Sequence, residues 1–264
     1  MRKIDLITLI CISGLSWSLL MVGHEIVGHG GAVLLIGGTP IAVDAMYFEQ
    51  DISMASFWQE KFVRAAGSLI NILLAVLATI WLSNLRQKDN WKGFTLWIIL
   101  MMNFFNAGSY IAFGRFIHPG MDWAMILHDL DPAWKWEAGE MALGISLIAC
   151  GLFFGRKYHY YFLDSEGSTI KQKLKILVIP LLTATTLSVT AALIMPTDDQ
   201  FMMLMGGIGN GFSFLIGMLI LALIPSSKGK ITTISKLRFN PIIIAISLLV
   251  IGFYIFGMSR GIRF

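Results

Sequence analysis

Long uninterrupted apolar runs leave this chain few ways to fold. Stretches at about 5–36, 62–84, 93–114, 138–155, 174–195, 201–225 and 240–258 are apolar throughout. Each is roughly the 20 residues that a helix needs to cross a ~30 Å hydrocarbon core. Lipid offers the backbone no hydrogen-bond partner, so each run must satisfy its N–H and C=O groups internally, as a helix does. Strand-like alternation is absent over most of the chain, which argues against a barrel. Composition agrees: 56% of the 264 residues are hydrophobic and 14% charged, against roughly 45–50% and 25% in a soluble domain. The expected fold is an all-α, polytopic transmembrane bundle of about seven spans, forming one membrane domain over 1–264 without internal repeats.

The first run is too long for one straight crossing, and Gly30-Gly31 and Gly37-Gly38 mark where it bends or ends. No small-residue cleavage site follows Met1-Arg2-Lys3, so the run is read as a retained span rather than a signal peptide. With the N-terminus in the cytoplasm, 14 of the 20 Lys and Arg residues fall on that side, mainly at 86–92, 156–175 and 228–238. This bias supports an N-in, C-out orientation. The net charge of +4 comes from these short loops and implies no nucleic-acid partner; the bilayer is the expected environment. Cys11 and Cys150 lie in apolar runs and read as core- or lipid-facing thiols.

Two connections on the opposite side are unusual. Residues 38–60 are semi-polar and rich in β-branched and aromatic residues, which fits a short hairpin. Residues 115–137 are dense in His, Asp and Trp.

The sharpest chemical signal is Gly23-His24-Glu25-Ile26-Val27-Gly28-His29-Gly30. Three ionisable groups inside an apolar run cost several kcal/mol to bury unless they are paired or bind a metal. Imidazoles are good zinc ligands, and a neighbouring carboxylate can serve as base toward a zinc-activated water. Zinc-peptidase helices place the two histidines four apart, on one face. Here they are five apart, about 140° around an ideal α-helix. A π-helical turn, with its i→i+5 bonding, absorbs one extra residue and returns both to one face, and Gly28 eases that distortion. The alternative is a buried polar cluster or proton relay of a transporter, with Asn71 as a third member.

Two further signals follow. Arg64-Ala65-Ala66-Gly67-Ser68-Leu69-Ile70-Asn71 opens the second span; Gly67 and Ser68 permit close helix approach, and Asn71 needs a partner, either across helices or in a substrate. His118-Pro119-Gly120-Met121-Asp122-Trp123 follows the third span. Asp122 can be the third protein ligand of a catalytic zinc, which keeps one position open; His118 competes with it, while His128, Asp129 and Asp131 fit a solvated loop equally well. His159 reads as solvated in a basic loop. Gly206 to Gly211 has small-residue spacing for tight helix packing.

Taken in order, the three signals resemble the site-2 protease family of intramembrane zinc metallopeptidases, which carries H-E-x-x-H, then G-P-x-x-N, then a P-x-x-x-D-G-like element. His24, Glu25 and His29 match the first with one residue inserted. Gly67 and Asn71 match the second, with Ser68 in place of Pro. Asp122 matches the third, with Trp123 in place of Gly. The resemblance spans roughly 15–125. It implies a metallopeptidase core at 1–125, with additional transmembrane helices at 126–264. It implies Zn²⁺ on His24, His29 and Asp122, Glu25 as general base, Asn71 positioning a membrane-bound peptide or protein substrate, and a β-hairpin at 38–50. The site would face the non-cytoplasmic side.

Overall fold

The structure is a computed structural model describing residues 5–117, 121–163, 170–197, 200–212, 215–224 and 239–264. It is the all-α bundle expected of the sequence. Helix α1 (Leu6–Val22) runs without a break into a π-helix (Gly23–Gly30) and then α2 (Gly31–Leu35). Gly37, at φ 79°, turns the chain out of the helix, a left-handed backbone that glycine adopts without Cβ strain. The amide of Gly38 donates to the Val33 carbonyl at 2.9 Å and closes the helix end. Strands β1 (Thr39–Val43) and β2 (Phe48–Asp51) form the expected hairpin, followed by α3 (Phe57–Asn84), α4 (Trp91–Ile117), the short α5 (Asp122–Leu127) and α6 (Ala133–His159). Then come α7 (Ile170–Ile194), α8 (Gln200–Phe212), α9 (Leu215–Leu223), α10 (Pro241–Gly252) and a two-residue β3 (Ile262–Arg263).

Local chemistry sets these boundaries. Asp5 caps α1 by accepting from the Thr8 amide at 2.7 Å. Ser56 and Gln59 form a reciprocal capping box at α3. Asn240 caps α10 ahead of Pro241, whose missing N–H costs nothing in a first helical turn. Two buried hydroxyls in α1 are satisfied within the helix: Ser13 and Ser16 donate to the carbonyls of Leu9 and Ile12.

Six helices among the described residues are long and apolar enough to cross a membrane: Leu6–Leu35, Phe57–Asn84, Trp91–Phe116, Ala133–Phe162, Lys173–Ile194 and Pro241–Arg260. The first and third are the most enclosed, each with 72% of its most apolar window buried, so they form the centre of the bundle. The others expose apolar stripes, such as Leu69, Leu73, Leu77 and Ile80 on α3, which suit contact with lipid tails. Within the run at 201–225, expected as one span, the described residues form α8 and α9 on either side of positions 213 and 214, which lie outside the described ones. The four glycines at 206–211 are poor helix formers. They serve instead to bring α8 onto α7: a methyl group on Gly207 would lie 2.9 Å from the Ser188 carbonyl oxygen. The two short helices still traverse the bundle as a pair. Gln200 donates to the Ala192 carbonyl near the end of α7, and Lys173 near its start reaches the Ile224 carbonyl at 3.1 Å.

The sheet order is β2-β1-β3, with Ala42 opposite Arg263 and Val43 opposite Ile262. A strand that follows the first crossing therefore pairs with one that follows the last. The hairpin, α5 and residues 262–263 share one face of the bundle. His159, expected in a solvated loop, is buried at the end of α6, its ring stacked on Trp97 with centroids 5.7 Å apart. The basic residues beside it hid an aromatic contact that burial makes favourable. Cys11 is buried and Cys150 exposed on α6, both free.

Candidate metal centre

The extra residue between the histidines is absorbed as the spacing predicts. Residues Gly23–Gly30 form a π-helix, and the His24 and His29 rings meet edge to face with centroids 5.0 Å apart. Helix α3 packs against this turn at backbone contact. A methyl on Gly28 would sit 2.6 Å from Gly67 Cα, and one on Gly67 would sit 2.5 Å from His24 Nε2. Both positions must be glycine for the π-turn and α3 to approach this closely.

Helix α5 delivers the third group. One ligand atom each from His24, His29 and Asp122 lies within 4.8 Å of the others. The His29 Nδ1–H donates to the Val63 carbonyl at 2.8 Å, which leaves Nε2 to face Asp122. That Nε2 stands 3.4 Å from Asp122 Oδ2. Either of two cations makes this buried approach favourable: a proton carried by the His29 ring as an imidazolium, or a metal ion shared with His24. Two ligands about 2.0–2.1 Å from a tetrahedral zinc lie about 3.3 Å apart, close to the observed separation. The three residues could together hold a metal ion.

Asp122 is held from several directions. The Tyr110 hydroxyl donates to its Oδ2 at 3.0 Å. Burial alone would push this carboxyl up, but the His29 hydrogen bond, the charges of both histidines and the Tyr110 hydroxyl outweigh it and hold it below the usual carboxylate range. The α5 segment is anchored to α3 at two points. Trp123 Nε1 donates to Ser68 Oγ at 3.0 Å, and the buried Lys61 ammonium donates to the carbonyls of Met125 and His128 at 2.6 and 2.9 Å.

Glu25 is 4% exposed and within electrostatic reach of His29, Asp122 and Asp44. Asn71 is fully buried, with its Nδ2 3.1 Å from both His24 Nδ1 and Asn106 Oδ1. His118 lies outside the described residues. His128 and Asp129 pair with each other at 2.6 Å, exposed to solvent. Tyr110, Asn106 and Lys61 belong to the centre but carried no motif. The signal for Asn106 was present: with Asn103 it forms an amide pair inside an apolar span, where polar groups need partners.

Comparison with known protein families finds no matching family model, and comparisons with characterised proteins and with solved structures also give no match.

Proposed function

We propose that this protein is a membrane-embedded zinc metallopeptidase that hydrolyses peptide bonds of membrane-associated substrates. The observation that carries the reading is the convergence of His24, His29 and Asp122, whose ligand atoms lie within 4.8 Å of one another, with His29 Nε2 and Asp122 Oδ2 3.4 Å apart. His24, His29 and Asp122 would hold the ion, three protein ligands being the number that leaves a catalytic zinc one open position. Zinc bound there would supply Lewis acidity, polarising a carbonyl and making a water acidic near neutral pH. Glu25, adjacent to a ligand and screened from bulk water, is the group placed to take up the proton. The resemblance to site-2 proteases supports the same roles.

The departures from that family's motifs support the reading too, because each is compensated. The inserted residue is taken up by the π-turn. Ser68 and Trp123, which stand where the family has Pro and Gly, hydrogen-bond each other. The Lys and Arg bias orients the site toward the non-cytoplasmic side, level with the hairpin. A substrate would be a membrane-bound peptide unwound near the bilayer surface, since a helix hides its carbonyls in its own hydrogen bonds.

The test is metal content and cleavage measured on the same purified samples. Wild type should hold about one zinc per chain, and His24→Ala or His29→Ala should lose it. Glu25→Gln should keep the zinc and cease to cleave a quenched-fluorescent model transmembrane peptide. A wild-type chain without metal, or full cleavage by Glu25→Gln, refutes the proposal.

A further inference from the structure

Asn71 sits badly for holding a substrate. It is fully buried, and its two amide hydrogens point at His24 Nδ1 and Asn106 Oδ1, each 3.1 Å away. Its Oδ1 is buried with no hydrogen-bond partner. With the amide nitrogen facing it, His24 Nδ1 must be the unprotonated ring nitrogen, so the proton of the neutral ring sits on Nε2. A metal at Nε2 demands the opposite tautomer, with a proton on Nδ1 and an acceptor opposite.

We infer that Asn71, backed by Asn106, is a positioning pair that switches the tautomer of His24 when the metal is taken up. The inference rests on the zinc reading above. A half-turn of the Asn71 amide exchanges Oδ1 and Nδ2 at almost no change of shape. Oδ1 then accepts from His24 Nδ1–H. The same half-turn in Asn106 offers its amide hydrogens to that oxygen. Each state leaves one amide atom of Asn71 unpaired, so the hydrogen bonds of Asn71 itself favour neither, and the location of the ring proton decides between them. His29 needs no such device, because a backbone carbonyl that can only accept already keeps a proton on its Nδ1. The two histidines thus differ in kind: His29 is set in advance, and His24 is set by the ion.

The experiment titrates purified full-length protein in detergent with zinc alone, against a competing chromophoric chelator. Asn71→Ala should weaken zinc binding about 10- to 100-fold, as loss of an orienting partner does. Asn71→Asp should bind at least as tightly as wild type, because a carboxylate accepts from Nδ1–H with no half-turn. This variant also decides the matter if Asn71→Ala fails to fold. ¹⁵N spectra of histidine-labelled wild type should show the His24 proton move from Nε2 to Nδ1 on zinc addition. The inference is overturned if folded Asn71→Ala binds zinc like wild type, if Asn71→Asp is weakened instead of matching wild type, or if the His24 tautomer stays unchanged. A wild-type protein that takes up no zinc instead overturns the metal centre itself.

Discussion

Gly67→Ala adds one methyl group to the contact that seats His24. The new carbon would stand 2.5 Å from His24 Nε2 and 2.7 Å from its Cδ2 and Cε1. Ordinary carbon contacts begin near 3.5 Å, so the ring or α3 must give way by about 1 Å. Metal sites tolerate roughly ±0.2 Å in ligand position, and a displacement five times larger removes His24 as an effective ligand. Zinc affinity should fall on the order of 100-fold, or about 2.7 kcal/mol. Overpacking should separately lower stability by about 1–3 kcal/mol. Zinc titration and thermal unfolding on the same samples separate the two effects. Leu69→Ala, two residues along on the exposed face of α3, is the control and should change zinc affinity little. A folded Gly67→Ala protein with wild-type zinc affinity would refute the claim that this glycine exists to admit the imidazole.

Two other perturbations probe the supports. Lys61→Met removes the ammonium bonded to the Met125 and His128 carbonyls. Charge-assisted bonds of this kind contribute about 1.5–3 kcal/mol each, so α5 should loosen, read as faster amide exchange over 124–130 than in wild type; unchanged exchange there would count against the anchor. Asp44, in the hairpin, has its carboxyl pushed up to about 6 by burial, with the Glu49 charge adding to this and the Met46 and Tyr47 backbone amides opposing it. A raised carboxylate favours the fold while protonated and loses that advantage as pH rises through about 6. Asp44→Asn should therefore be more stable than wild type at pH 8, by up to about 2 kcal/mol, and closely matched only below about pH 3.5, where the carboxyl is protonated in both states. Equal unfolding temperatures at pH 8 would show that the carboxyl is not desolvated.

The parts of this molecule legible in its sequence are those written as local periodicity. Apolar run length marked the spans, and the five-residue histidine spacing pointed to a π-turn as the way to bring both rings to one face. Asp122 was legible from its place three residues after Pro119, on the same side of the bilayer as the end of the first span. Long-range pairings were not legible. Nothing local to Lys61 announces that it will tie down carbonyls sixty residues on. Nothing in Ile262 and Arg263 marks them as the partner of a strand near the start of the chain. Tyr110 looks like any aromatic in an apolar helix until Asp122 is placed against it.

That late strand has a consequence for biogenesis. At typical synthesis rates the hairpin waits roughly 10–40 s for residues 262–263 to emerge. Throughout that interval the growing protein carries an open strand edge at the membrane surface, able to recruit any extended segment nearby. Phe48 of the same hairpin abuts Gly30, next to His29. The strand layer beside the His24–His29–Asp122 group therefore gains its third strand only after the helix at Pro241–Gly252 has been made.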